Sequence, residues 1–273
     1  MRRYHSLTPQ EEHIIVHKGT EPAGTGRFAP FSMPGVYLCR RCDAPLFLSN
    51  DKFASSCGWP SFDDAIADSV KKHIDQDGVR EEIVCARCGA HLGHVFAGEN
   101  YTAKNLRHCV NSASLSFTPA HAPDGLHRAI FAAGCFWGVQ SAMKKLPGVI
   151  RSMVGYTGGH VVEPTYEEVC SGLTGHREAI EVVFDPKLTN YEKILKYFFS
   201  IHDPTQKHAQ GPDRGEQYQS AIFYLTDEQR RIAENVMQQL QKQGLSITTE
   251  LRPASIFYPA EKYHQNYHDR KEL

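Results

Sequence analysis

Two short stretches, Cys39-Arg40-Arg41-Cys42 and Cys85-Ala86-Arg87-Cys88, decide how the first part of this 273-residue chain is organised. Each Cys-x-x-Cys pair can place two thiolates on one tight turn. Two such turns offer four sulfur ligands in a closed tetrahedral arrangement, which is typical of a structural zinc ion. One pair alone would also fit a redox dithiol, but two pairs favour a metal that holds the fold and does not touch substrate.

The composition is that of a globular protein, with 41% hydrophobic and 22% charged residues, and the length favours two domains. The net charge of −1 gives no general field for nucleic acid or anionic lipid, so a small local substrate is expected. No stretch approaches the roughly 20 apolar residues of a membrane helix, and the first residues lack the apolar run of a secretory signal. We therefore expect no nucleic-acid partner, no membrane contact and a cytosolic location.

The chain contains eight cysteines, six of them before residue 110. In an exported protein such a number would indicate a disulfide framework. Here the length of the chain, the two Cys-x-x-Cys pairs and the missing export signal favour reduced cysteines that serve metal binding and catalysis.

Residues 1–118 are rich in glycine, proline and short β-like runs, which predicts a mainly-β domain of antiparallel sheets. Helix is expected there only near the start, at 8–17, and at 62–69. The segment 118–125 has two prolines, a glycine and no large apolar residue, so we place a linker at 119–126.

Residues 127–273 follow a different pattern, in which strand-like and helix-like segments are mixed. This order predicts a two-layer α+β domain. Strands are expected at 128–133, 179–185, 220–225 and 246–251, and helices at 135–146, 190–202 and from the capping box Thr226-Asp227-Glu228-Gln229 to Gly244.

Four zinc thiolates alone would fit a non-enzymatic interaction module equally well. Further segments argue against that interpretation, because they bring two more cysteines, several histidines, an arginine and a tryptophan that zinc does not need. These segments are Cys57-Gly58-Trp59-Pro60-Ser61-Phe62, His91-Leu92-Gly93-His94-Val95-Phe96 and Arg107-His108-Cys109-Val110-Asn111-Ser112.

Together with Leu7–Glu12 and Gly19–Glu21, these segments resemble the methionine sulfoxide reductases that act on the R epimer, over residues 4–118. The resemblance implies that Cys109 is the nucleophile and that Cys57 resolves it by forming a disulfide. It implies that Trp59 is the wall for the substrate methyl group. It also implies that the sulfoxide oxygen and the thiol are surrounded by His91, His94, Arg107 and Asn111.

The residue types suit this chemistry. A thiolate must attack the sulfoxide sulfur, and an ordinary thiol pKa of about 8.5 is too high for that at neutral pH. We therefore expect the cationic Arg107 to favour the Cys109 thiolate. The oxygen must be protonated, and histidine is a proton donor suited to neutral pH.

A second constellation, Gly134-Cys135-Phe136-Trp137-Gly138, follows a predicted strand and opens a predicted helix. The positive end of the helix dipole is expected to lower the pKa of Cys135. Taken alone, a reactive cysteine in this place also fits a cysteine protease or a thiol peroxidase.

This motif resembles the nucleophile motif of the methionine sulfoxide reductases that act on the S epimer. Over residues 127–268 the resemblance continues through Gly155–Gly159, Pro164–Gly172, Gly175–Ala179 and Gly211–Tyr218. It implies that Cys135 is the nucleophile and that Phe136 and Trp137 hold the methyl group. Glu178 would be the proton donor, with a pKa raised in an apolar pocket. Tyr166 and Tyr218 would hydrogen-bond the sulfoxide oxygen, and Asp213 would support the site.

The two resemblances together imply a fusion that reduces free and protein-bound methionine sulfoxide of both epimers, through a cysteine sulfenic acid, in the repair of oxidised proteins. Thioredoxin or another thiol reductant would regenerate the thiols. The thiol that resolves Cys135 stays open, since no cysteine follows Cys170 in this sequence. Cys170 itself, a thiol of the other domain and an external reductant are the alternatives, and the Val169-Cys170-Ser171 context favours a buried structural role for Cys170.

Overall fold

The structure is a computed structural model that describes residues 3–271, the side chain of residue 271 excepted. The chain divides after Pro119 into two compact units. The first unit starts with the helix α1 (Pro9–Ile15), which begins at a reciprocal capping box. The Thr8 hydroxyl accepts from the amide of Glu11, and the Glu11 carboxylate accepts from the amide of Thr8.

The remainder of the first unit is mainly β, and all of its strand pairs are antiparallel. Its strands are β1 (Gly35–Cys39), β2 (Pro45–Leu48), β3 (Lys52–Phe53), β4 (Ser61–Phe62), β5 (Val70–Ile74), β6 (Glu81–Cys85), β7 (His91–Ala97), β8 (Leu106–Val110) and β9 (Leu115–Pro119). They form a sheet of order β2-β1-β9 and a sheet of order β3-β4-β8-β7-β6-β5. The predicted mainly-β, antiparallel character of this unit is confirmed.

The core of the first unit is aromatic. Tyr37, Phe47 and Phe62 are fully buried, and the rings of Phe47 and Phe62 stack with centroids 4.4 Å apart. In the β4–β8 pair, Ser61 lies opposite Cys109, and its neighbour Phe62 lies opposite His108. The packing of Phe62 therefore helps to fix β8, the strand that carries the predicted nucleophile.

The predicted helix at 62–69 is wrong. Phe62 ends β4, and residues 63–69 form turns. The amide of Ile66 donates to the carbonyl of Leu46 across the fold, and Asp68 has a left-handed φ of 59° that interrupts any helix. The apolar spacing at 62–69 therefore reflects core contacts of an irregular segment.

The second unit contains the remaining elements. They are β10 (His127–Ala132), α2 (Phe136–Met143), β11 (Val149–Thr157), α3 (Tyr166–Cys170), β12 (Arg177–Phe184), α4 (Tyr191–Ser200), β13 (Ala209–Gln210), β14 (Asp213–Arg214), β15 (Ala221–Tyr224), α5 (Asp227–Lys242), β16 (Glu250–Pro253), β17 (Tyr258–Pro259) and α6 (Tyr267–Lys271). Six of the strands form one sheet in the order β16-β15-β10-β12-β11-β17, in which only the β15–β16 pair is parallel among the described strands.

Helices α2, α4 and α5 contribute to one apolar cluster with the sheet. Helix α4 shows why, since Tyr191, Ile194, Leu195 and Phe198 recur at helical spacing on its buried side. The cluster joins side chains of β10, β12 and the three helices: Phe131, Ile180, Val182, Val139, Met143, Phe198 and Val236. The cluster also contains Ala133, so it anchors the end of β10 just before Cys135.

Several boundaries differ from the sequence-based expectations. The nine-residue strand β11 was not anticipated, and the last predicted strand begins at Glu250, later than expected. Thr226 caps α5 as predicted, but the Gln229 side chain accepts from the amide of Leu225, so only half of the capping box forms. Among residues 3–271, no helix combines the length and apolarity that crossing a membrane requires.

Candidate active sites and metal centre

The two Cys-x-x-Cys pairs form matching turns at the ends of β1 and β6. The amide of Asp43 donates to the carbonyl of Cys39 at 2.9 Å, and the amide of Gly89 donates to the carbonyl of Cys85 at 2.9 Å. Asp43 and Gly89 both have left-handed backbones, with φ of 55° and 72°. Each turn thereby directs its two cysteines toward the same point.

The four sulfur atoms of Cys39, Cys42, Cys85 and Cys88 lie within 4.8 Å of one another. The Sγ atoms of Cys39 and Cys88 are 3.6 Å apart, and those of Cys42 and Cys85 are 3.7 Å apart. A tetrahedral ion with metal–sulfur bonds of about 2.3 Å requires sulfur–sulfur edges of about 3.8 Å. The cluster therefore has the dimensions to hold one metal ion.

Two further cysteines of the first unit face each other. Cys109 lies in β8, paired with Ser61 of β4, and Cys57 lies in the loop between β3 and β4. Their Sγ atoms are 3.9 Å apart. A disulfide bond measures about 2.05 Å, so a small loop movement would join them.

A pocket of about 110 Å³ opens at Cys109. Pockets that bind drug-sized ligands usually have volumes of roughly 300–1,000 Å³. The smaller volume at Cys109 suits the end of a side chain. A side chain at Gly93 would place its Cβ 2.0 Å from the Cys109 carbonyl oxygen, so glycine is required for the close approach of β7 to β8. The lining combines aromatic, cationic and polar groups: Thr20, Trp59, Arg80, Gly93, His94, Phe96, Cys109 and Asn111.

The two predicted histidines of the first site have different environments. His91 is buried, its Nδ1 lies 2.7 Å from the Glu82 carboxylate, and Lys18 binds the other oxygen of Glu82 at 2.7 Å. Nε2 of His91 is buried and has no hydrogen-bond partner among the described residues. Burial lowers the pKa of His91 although Glu82 acts in the opposite direction. His94 lines the pocket and binds Asp75 through Nε2 at 2.8 Å.

Asn111 and Trp59 are both held by Glu21, a residue to which no role had been given. The Glu21 amide donates to Asn111 Oδ1 at 3.0 Å, and its carbonyl accepts from Trp59 Nε1 at 3.0 Å. The Glu21 carboxylate in turn accepts from the amide of Ser112 at 2.5 Å. Only the Gly19–Glu21 segment of the family resemblance could have indicated this residue.

The charge balance at Cys109 differs from the expectation. Burial raises its pKa, the neighbouring Cys57 raises it further, and Arg107 offsets these effects only in part, so that the pKa stands at about 12. Arg107 is itself held by Glu99 through two hydrogen bonds of 2.6 and 2.8 Å. Arg107 thus lowers the pKa of Cys109, in the expected direction, but by less than burial and Cys57 raise it.

In the second unit, Cys135 is the residue at which α2 begins. Burial raises its pKa, while hydrogen bonds from the amides of Trp137 and Gly138 act in the opposite direction. The helix start thus lowers the pKa of Cys135 as expected, but the net pKa is raised because burial has the larger effect. The helix amides reduce the penalty of burial without overcoming it.

Glu178 lies in β12 and is 2% exposed. Its Oε2 accepts from the amide of Phe136 at 3.1 Å, directly beside Cys135. Burial raises the pKa of Glu178 to about 7, and the charge of Asp213 acts in the same direction, against the Phe136 amide. The carboxyl is thus protonated over the lower part of the physiological range, as a proton donor requires.

The other predicted residues of the second site lie near Glu178. Burial raises the pKa of Tyr218 to about 12, with contributions from Glu178 and Asp213. Burial also raises the pKa of Tyr166, which lies at the start of α3 and interacts with Glu178 and Tyr218. The structure therefore brings these groups together around Cys135, with Phe136 buried and Trp137 half-buried.

Residues near the C-terminus complete this site and were missed. His264 is 1% exposed, and its Nδ1 accepts from Trp137 Nε1 at 3.0 Å. Its ring also packs on Tyr166, with centroids 4.3 Å apart. Tyr267 stacks on Trp137 at 3.7 Å and an interplanar angle of 6°. These contacts fix the indole ring that was predicted to hold the substrate methyl group.

Cys170 is exposed, so the expected buried structural position is wrong. It ends the short helix α3, and its thiol interacts with the Tyr166 side chain. None of the eight cysteines, all of which the structure describes, forms a disulfide.

Comparison with known proteins finds a family match for each part of the chain. The family profile "Peptide methionine sulfoxide reductase" matches residues 127–273, and the profile "SelR domain" matches residues 7–119. The peptide methionine sulfoxide reductase MsrA of Methanosarcina acetivorans is 50% identical over 151 residues, which are 54% of this chain and 80% of the relative. That of Methanothermobacter thermautotrophicus is 54% identical over 143 residues, 51% of this chain and 85% of the relative.

The chain belongs to the peptide methionine sulfoxide reductase family. It carries an MsrB-type SelR domain followed by an MsrA-type domain, and it is a peptide-methionine R- and S-sulfoxide reductase. Among solved structures, the reduced form of Mxr1 from Saccharomyces cerevisiae matches with a TM-score of 0.54 and 32% identity. That match covers 56% of this chain and 90% of Mxr1.

Proposed function

We propose that each unit reduces one epimer at its own thiol. Residues 1–118 would act on the R epimer, residues 127–273 on the S epimer, and 119–126 would link them. The observation that carries the proposal is that each unit assembles its own thiol site, with a pocket at Cys109 and a buried carboxyl beside Cys135. For the second unit we propose the two-layer α+β class, on the shared cluster of its helices and sheet.

At Cys135 the proposed reaction starts from a neutral thiol and a protonated Glu178. Glu178 donates a proton to the sulfoxide oxygen as Cys135 loses its own, and the amides of Trp137 and Gly138 stabilise the developing thiolate. The sulfur–oxygen bond of the substrate breaks, the oxygen passes to Cys135 as a sulfenic acid, and methionine leaves. The substrate sulfur gains the two electrons that the cysteine sulfur loses. Tyr166 and Tyr218 hydrogen-bond the oxygen, Asp213 supports the carboxyl, and Phe136 with Trp137 holds the methyl group.

At Cys109 the same exchange of oxygen takes place in the pocket lined by Trp59. His94 lines the pocket and packs against the buried His91, whose Nε2 has no hydrogen-bond partner among the described residues. These two histidines would protonate the leaving oxygen, and Asn111 and Arg107 would hold the thiol in place. Cys57 then displaces the oxygen as water and forms a disulfide with Cys109. Thioredoxin or another thiol reductant opens that disulfide by exchange.

We propose zinc as the ion of the Cys39, Cys42, Cys85 and Cys88 cluster. Four thiolates at tetrahedral spacing are the donor set of structural zinc, and the closed set leaves no position for substrate. The ion would tie the end of β1 to the end of β6. Cysteines that bind metal and reduce substrate suit a reducing compartment, and we propose the cytosol as the location. Both free and protein-bound sulfoxide are proposed as substrates.

Division of labour between the two thiols is tested by single substitutions. Cys109→Ser is expected to lower only R-sulfoxide reduction and Cys135→Ser only S-sulfoxide reduction, each by more than about 1,000-fold, since a nucleophile is removed. Turnover of each pure epimer of a methionine sulfoxide peptide with dithiothreitol measures this. Cys170→Ser, at an exposed cysteine, is the matched control and should keep both activities. Loss of both activities from either nucleophile variant, with the fold intact, would contradict the two-site proposal.

A further inference from the structure

Two serine hydroxyls surround the sulfur of Cys57. Ser55 Oγ lies 3.0 Å from Cys57 Sγ, and Ser61 Oγ lies 3.5 Å from it. The two hydroxyls are 2.7 Å from each other. Ser61 is 1% exposed, so its hydroxyl can find partners only within the protein.

Each hydroxyl carries one proton, which limits how this cluster can be connected. When Cys57 is a thiol, it can donate to Ser55 Oγ or to the carbonyl of Trp59 at 3.5 Å, and Ser61 can donate to the same carbonyl at 3.3 Å. When Cys57 is a thiolate, its sulfur only accepts. Ser61 can then donate to Ser55, and Ser55 to the sulfur, so both hydroxyls support the negative charge.

We propose that Ser55 and Ser61 form a hydroxyl relay that stabilises the Cys57 thiolate and thereby sets the rate at which Cys57 resolves the oxidised Cys109. This rests on the proposed roles of Cys57 and Cys109. In that step the Cys57 sulfur attacks the sulfenic sulfur, a sulfur–sulfur bond forms and the sulfur–oxygen bond breaks. The leaving oxygen takes up the proton that Cys57 gave up together with its own, and departs as water. Ser55 and Ser61 are positioning residues in this step.

The contrast between the two facing cysteines supports the relay. Burial raises the pKa of Cys57, yet hydrogen bonds from Ser55 and Ser61, the Trp59 backbone and the charge of Arg107 outweigh it, so that the pKa lies below its ordinary value. Cys109 is 3.9 Å away and also feels Arg107, but its pKa is raised. The described contacts of Cys109 include no hydroxyl. The serine hydroxyls are one difference between the two environments, and the effect of Cys57 on Cys109 is another.

The relay is tested in the full, metal-loaded chain with Ser55→Ala and Ser61→Ala. Ser55→Thr keeps a hydroxyl at the same position. Ser116→Ala is the matched control, because Ser116 Oγ is buried in the same unit and has no hydrogen-bond partner among the described residues.

Two measurements compare these variants. Single-turnover quenching with an R-sulfoxide peptide follows two products, methionine and the Cys57–Cys109 disulfide. The pH profile of Cys57 alkylation in a Cys109→Ser background, mapped by mass spectrometry, reports the Cys57 pKa.

Loss of either hydroxyl should raise the midpoint pH of Cys57 alkylation by about one unit. At pH values below the midpoints of both proteins, the Cys57 thiolate fraction should then be about tenfold lower in the variant than in the parent. A thiolate whose pKa is one unit higher is about threefold more nucleophilic, which offsets part of the tenfold loss. Formation of the Cys57–Cys109 disulfide should therefore slow by about threefold in that pH range. Methionine formation should not slow, and Ser55→Thr and Ser116→Ala should match the parent. Unchanged midpoints in both alanine variants would overturn the relay, and so would an equal slowing of both products. The proposed role of Cys57 as the resolving thiol is tested separately. Normal thioredoxin-driven reduction of the R epimer by the Cys57→Ser protein would show that this role is wrong.

Discussion

At the scale of single residues, burial acts in the same way on the two proposed nucleophiles. It raises the pKa of Cys109 and of Cys135, and neither Arg107 nor the helix amides beside Cys135 offset it fully. Oxidation by peroxide follows thiolate character. A raised thiol pKa lowers the resting thiolate fraction and therefore lowers reactivity toward such oxidants. In the proposed mechanism, Cys135 ionises as the neighbouring Glu178 carboxyl protonates the sulfoxide oxygen.

The ionisation of Glu178 predicts how S-epimer reduction depends on pH. Its pKa is raised to about 7, so the donating, protonated form dominates below that pH and disappears above it. Turnover of the S epimer should therefore fall as pH rises through about 7. Glu178→Gln should lower it by about 100- to 10,000-fold, the range for general acid catalysis. Stopped assays from pH 5.5 to 9 measure this.

R-epimer turnover of the same samples is the internal control, because Glu178 lies only in the second unit. An S-epimer profile that keeps its fall near pH 7 in Glu178→Gln would assign that titration to another group.

The residues that could not be predicted owe their roles to contacts between distant parts of the chain. Cys57 and Cys109 were expected to meet, and they lie 3.9 Å apart. His264 was not considered, because its bond to Trp137 joins residues 127 positions apart. Glu21 reaches Ser112 across 91 positions. Motifs indicate which side chains react, while the side chains that hold them in place become visible only in three dimensions.

At the scale of elements, periodicity predicted isolated, amphipathic segments well. Helix α4 and strand β12 lie close to their expected positions, because each shows one clear spacing of apolar residues. The segment 62–69 was misassigned because its apolar residues pack in a turn. Strand β11 was missed because its first part is exposed and only its end, Val154–Thr157, is buried.

The Cys-x-x-Cys turns predict how the first unit responds to loss of its metal. Cys88→Ser should remove about one zinc per chain and unfold residues 1–118, because the binding free energy of a structural zinc, about 10–16 kcal/mol, is folding free energy. R-sulfoxide reduction should be lost, whereas S-sulfoxide reduction should persist in the second unit. Elemental analysis, limited proteolysis and the two epimer assays measure these effects.

The matched control for the metal is again Cys170→Ser, which removes an exposed thiol outside the cluster. It should retain the zinc. A metal-free Cys88→Ser protein with a protease-resistant, R-active first unit would show that the cluster is dispensable.

At the scale of the whole molecule, the two units differ in whether a second thiol contacts the proposed nucleophile. Cys109 has Cys57 in contact at 3.9 Å. No described thiol is in such contact with Cys135. Cys170 is the other cysteine of residues 120–273, and it is exposed and engaged with Tyr166. Exposure removes the earlier reason to discount Cys170. Its thiol interacts with Tyr166 and Glu178 but makes no described hydrogen-bond contact with Cys135.

We therefore expect substrate-oxidised Cys135 to persist mainly as a sulfenic acid. Thioredoxin acts best on a disulfide, so thioredoxin-driven reduction of the S epimer should be slow relative to the R epimer. Dithiothreitol, which attacks the sulfenic acid directly, should support both reactions, and Cys170→Ser should keep most S-epimer turnover with it. Mass spectrometry after one turnover of the Cys109→Ser protein, with dimedone to trap sulfenic acid, measures the product at Cys135. A stoichiometric Cys135–Cys170 disulfide, with thioredoxin turnover lost in Cys170→Ser, would instead make Cys170 the resolving thiol and would require α3 to move during the cycle.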